Sequence, residues 1–135
     1  MGLCNLRHVD EALMQRGLRN DRYTERLQGI EGLQLNQEQP GVKRNYSYYP
    51  VVFDENVFGS SRNEVFEVLA KHDIHARKYF YPITNAFDCF HGQFDYFKTP
   101  VALHVSKRVL TLPMYADLPM EKVDEICDLV ISCKK

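Results

Sequence analysis

From Asn5 to Gly29, Leu6, Val9, Leu13, Tyr23, Leu27 and Ile30 recur at three- and four-residue steps, the stripe of one long amphipathic helix. Gly17 interrupts that stripe. Arg7, Arg16, Arg19, Arg22 and Arg26 lie between its members, interleaved with Asp10, Glu11, Asp21 and Glu25. Mixed signs of this kind predict a solvated face, or one packed against a partner, in preference to an anion-binding face. Glu31-Gly32 closes the helical region and Leu33–Leu35 reads as a short edge strand. A polar loop with a Pro40-Gly41 turn follows. Asn45 to Phe53, dense in tyrosine and valine, predicts a strand, and Pro50 inside it places that strand at a sheet edge or a bulge.

Ser61-Arg62-Asn63-Glu64 is a capping box that opens a helix to about His72, with Val65, Phe66, Leu69 and Ala70 on one face. Ile74 to Arg77 alternates apolar and polar positions, the pattern of a half-buried strand, and runs into an aromatic exit ending at Pro82. Val109–Leu112 repeats the arrangement and leaves through Pro113-Met114-Tyr115. Such exits hold basic and phenolic groups at the mouth of a sheet. Between them, Thr84 to Lys98 crowds five aromatic residues around Gly92, as a substrate lid or as a plug under a neighbouring subunit would. Pro100 to Ser106 suits a helix with proline in its first turn, and Pro119 to Ser132 a closing helix with Val123, Ile126, Cys127, Val130 and Ile131 buried. The fold class is α/β in the α+β sense: a small, mainly antiparallel sheet covered by helices on one face.

Composition narrows the functional classes. The 135 residues make one domain, 44% apolar and 26% charged, with a net charge of −1. That balance gives no general attraction to nucleic acid. No apolar run approaches the ~20 residues that span a bilayer. The opening residues are too short and too soon charged for a secretory leader, so a cytoplasmic protein without membrane contact is expected. Cys4, Cys89, Cys127 and Cys133 show no metal-ligand spacing, and Cys127 falls on the buried stripe of the last helix. No serine stands in a G-x-S-x-G elbow. Cys89 and His91, alternate residues of a loop, and His72 and His75 around Asp73, at a helix–strand junction, are poorly spaced for nucleophile and base.

Four motifs carry a family resemblance: Ala76-Arg77-Lys78-Tyr79-Phe80-Tyr81-Pro82, Thr99-Pro100-Val101-Ala102, Arg108 to Tyr115, and the helix opening at Leu118-Pro119-Met120-Glu121. In that order they resemble the DegT/DnrJ/EryC1/StrS group of pyridoxal-phosphate-dependent (PLP) aminotransferases, which act on nucleotide-linked keto sugars. The likeness covers essentially the whole chain, and Met1 to Leu6 resembles a helix entry met well inside the family's sequences. The resemblance implies the small C-terminal domain of the aspartate-aminotransferase-like fold, with residues 1–30 as a helix linking it to a large domain and 31–135 as the small domain. It also implies a homodimer and a nucleotide-sugar substrate, with Arg77 against a phosphate and Tyr79 and Tyr81 against sugar or base. Many members continue from this proline into a Leu-His pair, whereas this chain reads Ile83-Thr84-Asn85.

PLP chemistry requires a lysine, a carboxylate facing the pyridine nitrogen and a phosphate cradle. None of the eight lysines is followed by the family's Gly-Glu-Gly-Gly segment, and the chain has no glycine-rich loop. The resemblance therefore implies a C-terminal fragment or truncated product, with no catalytic residue and no cofactor of its own and PLP held in the full-length enzyme. The residues alone accommodate a second reading, a free-standing, non-enzymatic α/β binding or regulatory module. A lysine-bearing domain encoded upstream separates the two.

Overall fold

The computed structural model describes residues 2–90 and 92–135. A short helix α1 (Gly2–Leu6) leads into α2 (Val9–Leu27). The single helix expected over Asn5–Gly29 is thus broken by a turn at Arg7-His8. Leu6 is 63% exposed, so its end of the apolar stripe is left largely uncovered by the described residues. Gly17 is buried, and a side chain there would stand 3.3 Å from the Tyr46 ring. The residue that interrupts the stripe is the one that lets the loop close on the helix.

Strands β1 (Leu33–Leu35), β2 (Tyr49–Phe53) and β3 (Val109–Leu112) form an antiparallel sheet in the order β1-β2-β3. β2 is the central strand, against the edge position expected from Pro50. The register explains the tolerance. Pro50 faces Thr111, whose N–H and C=O both bond to Arg77 on the far side of β3, at 2.7 and 2.9 Å. Pro50 therefore occupies a pair without hydrogen bonds to β3, and its missing donor points past Leu35, the last β1 residue paired to β2. The predicted strand Ile74–Arg77 is not one. Burial alternates as expected, with Ile74 and Ala76 inside, but only Arg77 bridges to Thr111 before the chain turns at Lys78–Tyr81.

Helices α3 (Glu55–Phe58), α4 (Arg62–Lys71), α5 (Pro100–Arg108) and α6 (Met120–Ser132) complete the fold, with three short 3₁₀ turns in the aromatic segment. The capping box forms as read: the Glu64 N–H donates to the Ser61 hydroxyl and the Ser61 N–H to the Glu64 carboxylate. α2, α4 and α6 bury Tyr23, Leu27, Leu69, Ile126 and Val130 against Val51, Phe53, Leu110 and Leu112. Each fully buried leucine or isoleucine contributes about 1.5–3 kcal/mol. α5 lies along the other face, where Val105 meets Pro50, Val52 and Val109, so β3 is buried on both sides.

Three arginines of α2, expected on a solvated or partner-facing surface, are bonded within the chain to α6 and to Leu118 just before it. Arg22 grips Asp124 of α6 with two bonds of 2.8 and 3.1 Å, and Arg26 reaches Asp124 at 2.9 Å and also Asp128. The Arg19 Nε donates to the Leu118 carbonyl at 2.9 Å. The C-terminus is held in the same manner. Ser60 Oγ donates to the Cys133 carbonyl at 2.7 Å, and the Lys135 ammonium donates to Glu64 at 2.8 Å. Lys135 and the Ser61 groups hold the Glu64 carboxyl down, at about 2 against an ordinary 4.5. A carboxylate depressed by folding stabilises above its unfolded value, and that contribution is lost as pH falls toward the folded value. Glu64→Gln is therefore expected to flatten the acid limb of unfolding stability between about pH 4.5 and about 2. Urea titrations across that range check it; an unchanged slope contradicts the assignment.

Candidate functional site

Two of the sequence motifs, Ala76 to Pro82 and Arg108 to Tyr115, meet beside β3. The Arg77–Thr111 bridge fixes the backbone of Arg77 beside β3 and turns its side chain outward. Its guanidinium donates to the Tyr79 hydroxyl and lies 5.4 Å from that ring's centroid. The Tyr79 ring meets the edge of Tyr48 at 5.7 Å and stacks on Phe80 at 5.0 Å. A cleft of about 290 Å³ opens here, bordered by Tyr48, His75, Arg77, Tyr79, Pro113 and Tyr115. Asp73 lies 3.2 Å from His75. Among the described residues no carboxylate stands within ion-pair distance of Arg77.

Tyr81 is placed differently from Arg77 and Tyr79. All three border an open hollow of about 470 Å³ with Phe66 and Lys78, but Tyr81 is absent from the Arg77 cleft. Its ring covers the buried Arg62 guanidinium at 4.9 Å. Arg62 Nη1 donates to the Ser106 and Val109 carbonyls at 3.1 and 2.8 Å, and burial lowers its proton affinity. Capping pattern alone did not single out Arg62, because the carbonyls it bonds lie over forty residues away. Tyr48 was likewise legible only as one tyrosine of a strand.

Tyr79 also borders a pocket of about 650 Å³, mostly apolar, with Phe80, Ile83, Phe90, Phe94 and Val105. Phe90 and Phe94 meet edge to face at 5.2 Å, so the irregular aromatic segment forms one wall. Cys89 is exposed, and its suggested partner His91 lies outside the described residues. Cys127 is buried in the core as expected, which pushes its thiol up to about 12. Among the described residues no three metal-ligating side chains gather. Among the described residues no helix is long and apolar enough to cross a membrane.

The residues present do not fit PLP. None of the lysines is buried, and the apolar 650 Å³ pocket is lined by none. Lys78 and Lys43 do border hollows, yet neither hollow has an aspartate or glutamate in its lining to face a pyridine nitrogen. Lys78 Nζ sits 4.4 Å from the Phe66 ring centroid.

Residues 1–131 match the DegT/DnrJ/EryC1/StrS aminotransferase family, and the chain belongs to it. It is 33% identical over 132 residues to the Escherichia coli dTDP-4-amino-4,6-dideoxy-D-glucose transaminase, covering 96% of this chain and 35% of that protein. Among solved structures, DesI in the presence of its TDP-sugar product superposes with a TM-score of 0.90 at 27% identity, over 98% of this chain and 34% of DesI. Spr1654 from Streptococcus pneumoniae in its PLP form shares the fold, with a TM-score of 0.85 at 24% identity over 98% and 33% of the two chains. The chain thus spans about a third of the length of the relatives it matches. The expected class, a small antiparallel sheet covered by helices, is the one found, although α5 also covers the second face.

Proposed function

We propose that this chain serves as the small domain of a PLP-dependent aminotransferase that transfers an amino group to a nucleotide-linked keto sugar in the cytoplasm. The observation that carries this reading is the 0.90 superposition on one third of DesI, with Arg77 and Tyr79 at a shared cleft. PLP, when bound in a whole enzyme, supplies the electron sink; its lysine and carboxylate come from residues other than these. What this chain contributes is binding. Arg77 forms a charge-assisted fork to a phosphate of the substrate, and the Tyr79 hydroxyl, already bonded to that guanidinium, fixes its direction. Tyr48 and Tyr115 offer rings and hydroxyls to the sugar. Tyr81 contributes by holding the segment on Arg62. Residues 1–30 link to the cofactor-bearing domain, and two whole enzymes pair.

The reading is tested by grafting this chain in place of the matching third of the E. coli relative. In that graft, Arg77→Met removes charged hydrogen bonds worth about 1.5–3 kcal/mol, so KM for the dTDP-linked keto sugar is expected to rise roughly 10- to 100-fold. The change in kcat should be smaller, because the interaction is made in the bound substrate as well as in the transition state. A KM unaltered by Arg77→Met sinks the assignment.

A further inference from the structure

His75 stands two residues before Arg77 and borders the same cleft. Ile74 and Ala76 are buried while His75 and Arg77 are exposed, so the two polar side chains leave one extended segment on the same side. The imidazole Nε2 lies 3.2 Å from the Asp73 carboxylate. A carboxylate only accepts, so Nε2 carries a proton in both charge states of the ring, and Nδ1 is the nitrogen that titrates. His72, on the other side of Asp73 in sequence, instead meets the Val68 carbonyl of its own helix at 3.0 Å and takes no part in the cleft.

The other groups of the cleft decide what Nδ1 can meet. Arg77 is its permanent cation, and Tyr48, Tyr79 and Tyr115 bring phenols. Among the described residues Asp73 is the acid within ion-pair distance of the ring, and it lies at Nε2. A neutral ring presents the Nδ1 lone pair, which repels a phosphate oxygen. The imidazolium presents Nδ1–H, which donates to that oxygen in a charged hydrogen bond. Beside Arg77 this form gives the cleft two cationic donors, suited to two oxygens of one phosphate or of a diphosphate. Like charges repel until an anion joins them, so ligand and proton each favour the binding of the other.

We propose that His75 is a second ligand to the phosphate group that Arg77 takes, engaging it through Nδ1 as the imidazolium, so that binding takes up a proton. This rests on the reading that Arg77 faces a phosphate of the substrate, and it adds a proton-linked partner there. An imidazole changes charge between about pH 5 and 8, so the contact forms at the lower end of that range and is lost at the upper. The 135-residue chain is titrated with dTDP-glucose at pH 6 and at pH 8, and amide chemical shifts are followed by NMR. Both phosphates of that probe are esterified, so its own charge is the same at the two values. Binding is expected to be about fivefold or more tighter at pH 6, with shifts at residues 75–79. His75→Gln should bind at both values as wild type does at pH 8, without altering the circular dichroism spectrum. If His75→Gln keeps the wild-type pH dependence while Arg77→Gln weakens dTDP-glucose at both values, the role of His75 is overturned and the Arg77 reading stands. No shift at 75–79 at either pH overturns both. Tighter binding at pH 8 also overturns the proposal, since the neutral ring would then be the form that meets the ligand.

Discussion

Arg62→Met is expected to lower unfolding stability by about 2–4 kcal/mol. Arg62 is the first residue of α4 and only 4% exposed, yet it has no carboxylate partner among the described residues. Its charge is dispersed over two carbonyls, the Asn63 side chain at 2.9 Å and the Tyr81 ring. Those carbonyls, Ser106 and Val109, lie at the end of α5 and the start of β3, where helix geometry leaves acceptors without intrahelical donors. Methionine fills similar space but donates nothing. Each orphaned buried carbonyl costs about 1–3 kcal/mol, offset in part by no longer burying a cation. Arg62→Lys keeps the charge without the planar fork and should lose less. Urea unfolding monitored by circular dichroism measures both; a methionine variant as stable as wild type would show that the carbonyls find other donors.

Gly32→Ala is expected to cost about 3 kcal/mol, and Gly29→Ala only about 1, although the two backbones are nearly alike. Gly29 has φ of +80° and Gly32 of +84°, so alanine is strained at either. The difference is space. A Cβ at Gly29 meets nothing within 4 Å, whereas at Gly32 it falls 2.7 Å from the Cα and Cβ of Phe58. Phe58 cannot retreat: its side chain is fully buried and its N–H closes α3 onto Asp54 at 2.8 Å. The Gly32 carbonyl meanwhile accepts from the Asp54 N–H at 2.8 Å, which clamps the two segments together. Parallel urea titrations decide this. Equal losses at both positions would mean that backbone strain alone, and not the approach to α3, sets the cost.

What could be read from the chain was local. The Ser61–Glu64 box, the proline-led α5, β3 and the stripe of α6 are each specified within a dozen residues, and each formed where the pattern put it. The errors share a different origin. Pro50 looked like an edge marker because a proline's missing donor is local, but where β1 stops is not. Ile74–Arg77 has a strand's alternation, yet pairing depends on how far the chain follows β3 before turning. The α2 arginines seemed solvated because their acids lie about a hundred residues away on α6. The site divides in the same manner. Arg77 and Tyr79, two apart in one segment, were legible together, whereas the cover of Arg62 by Tyr81 and the approach of Tyr48 to Tyr79 are set by tertiary packing. The family motifs bridged that gap, since their order along the chain carries the fold with them.

The central claim is that these residues complete a sugar aminotransferase whose reactive lysine lies elsewhere. The most direct measurement is product formation by the graft in which this chain replaces the corresponding third of the E. coli transaminase, loaded with PLP and supplied with a dTDP-linked 4-keto sugar and an amino-acid donor. The account predicts PLP-dependent formation of the 4-amino sugar by the graft and none by the isolated chain. A graft that folds and holds PLP but forms no amino sugar, or an isolated chain that forms it unaided, would contradict the account.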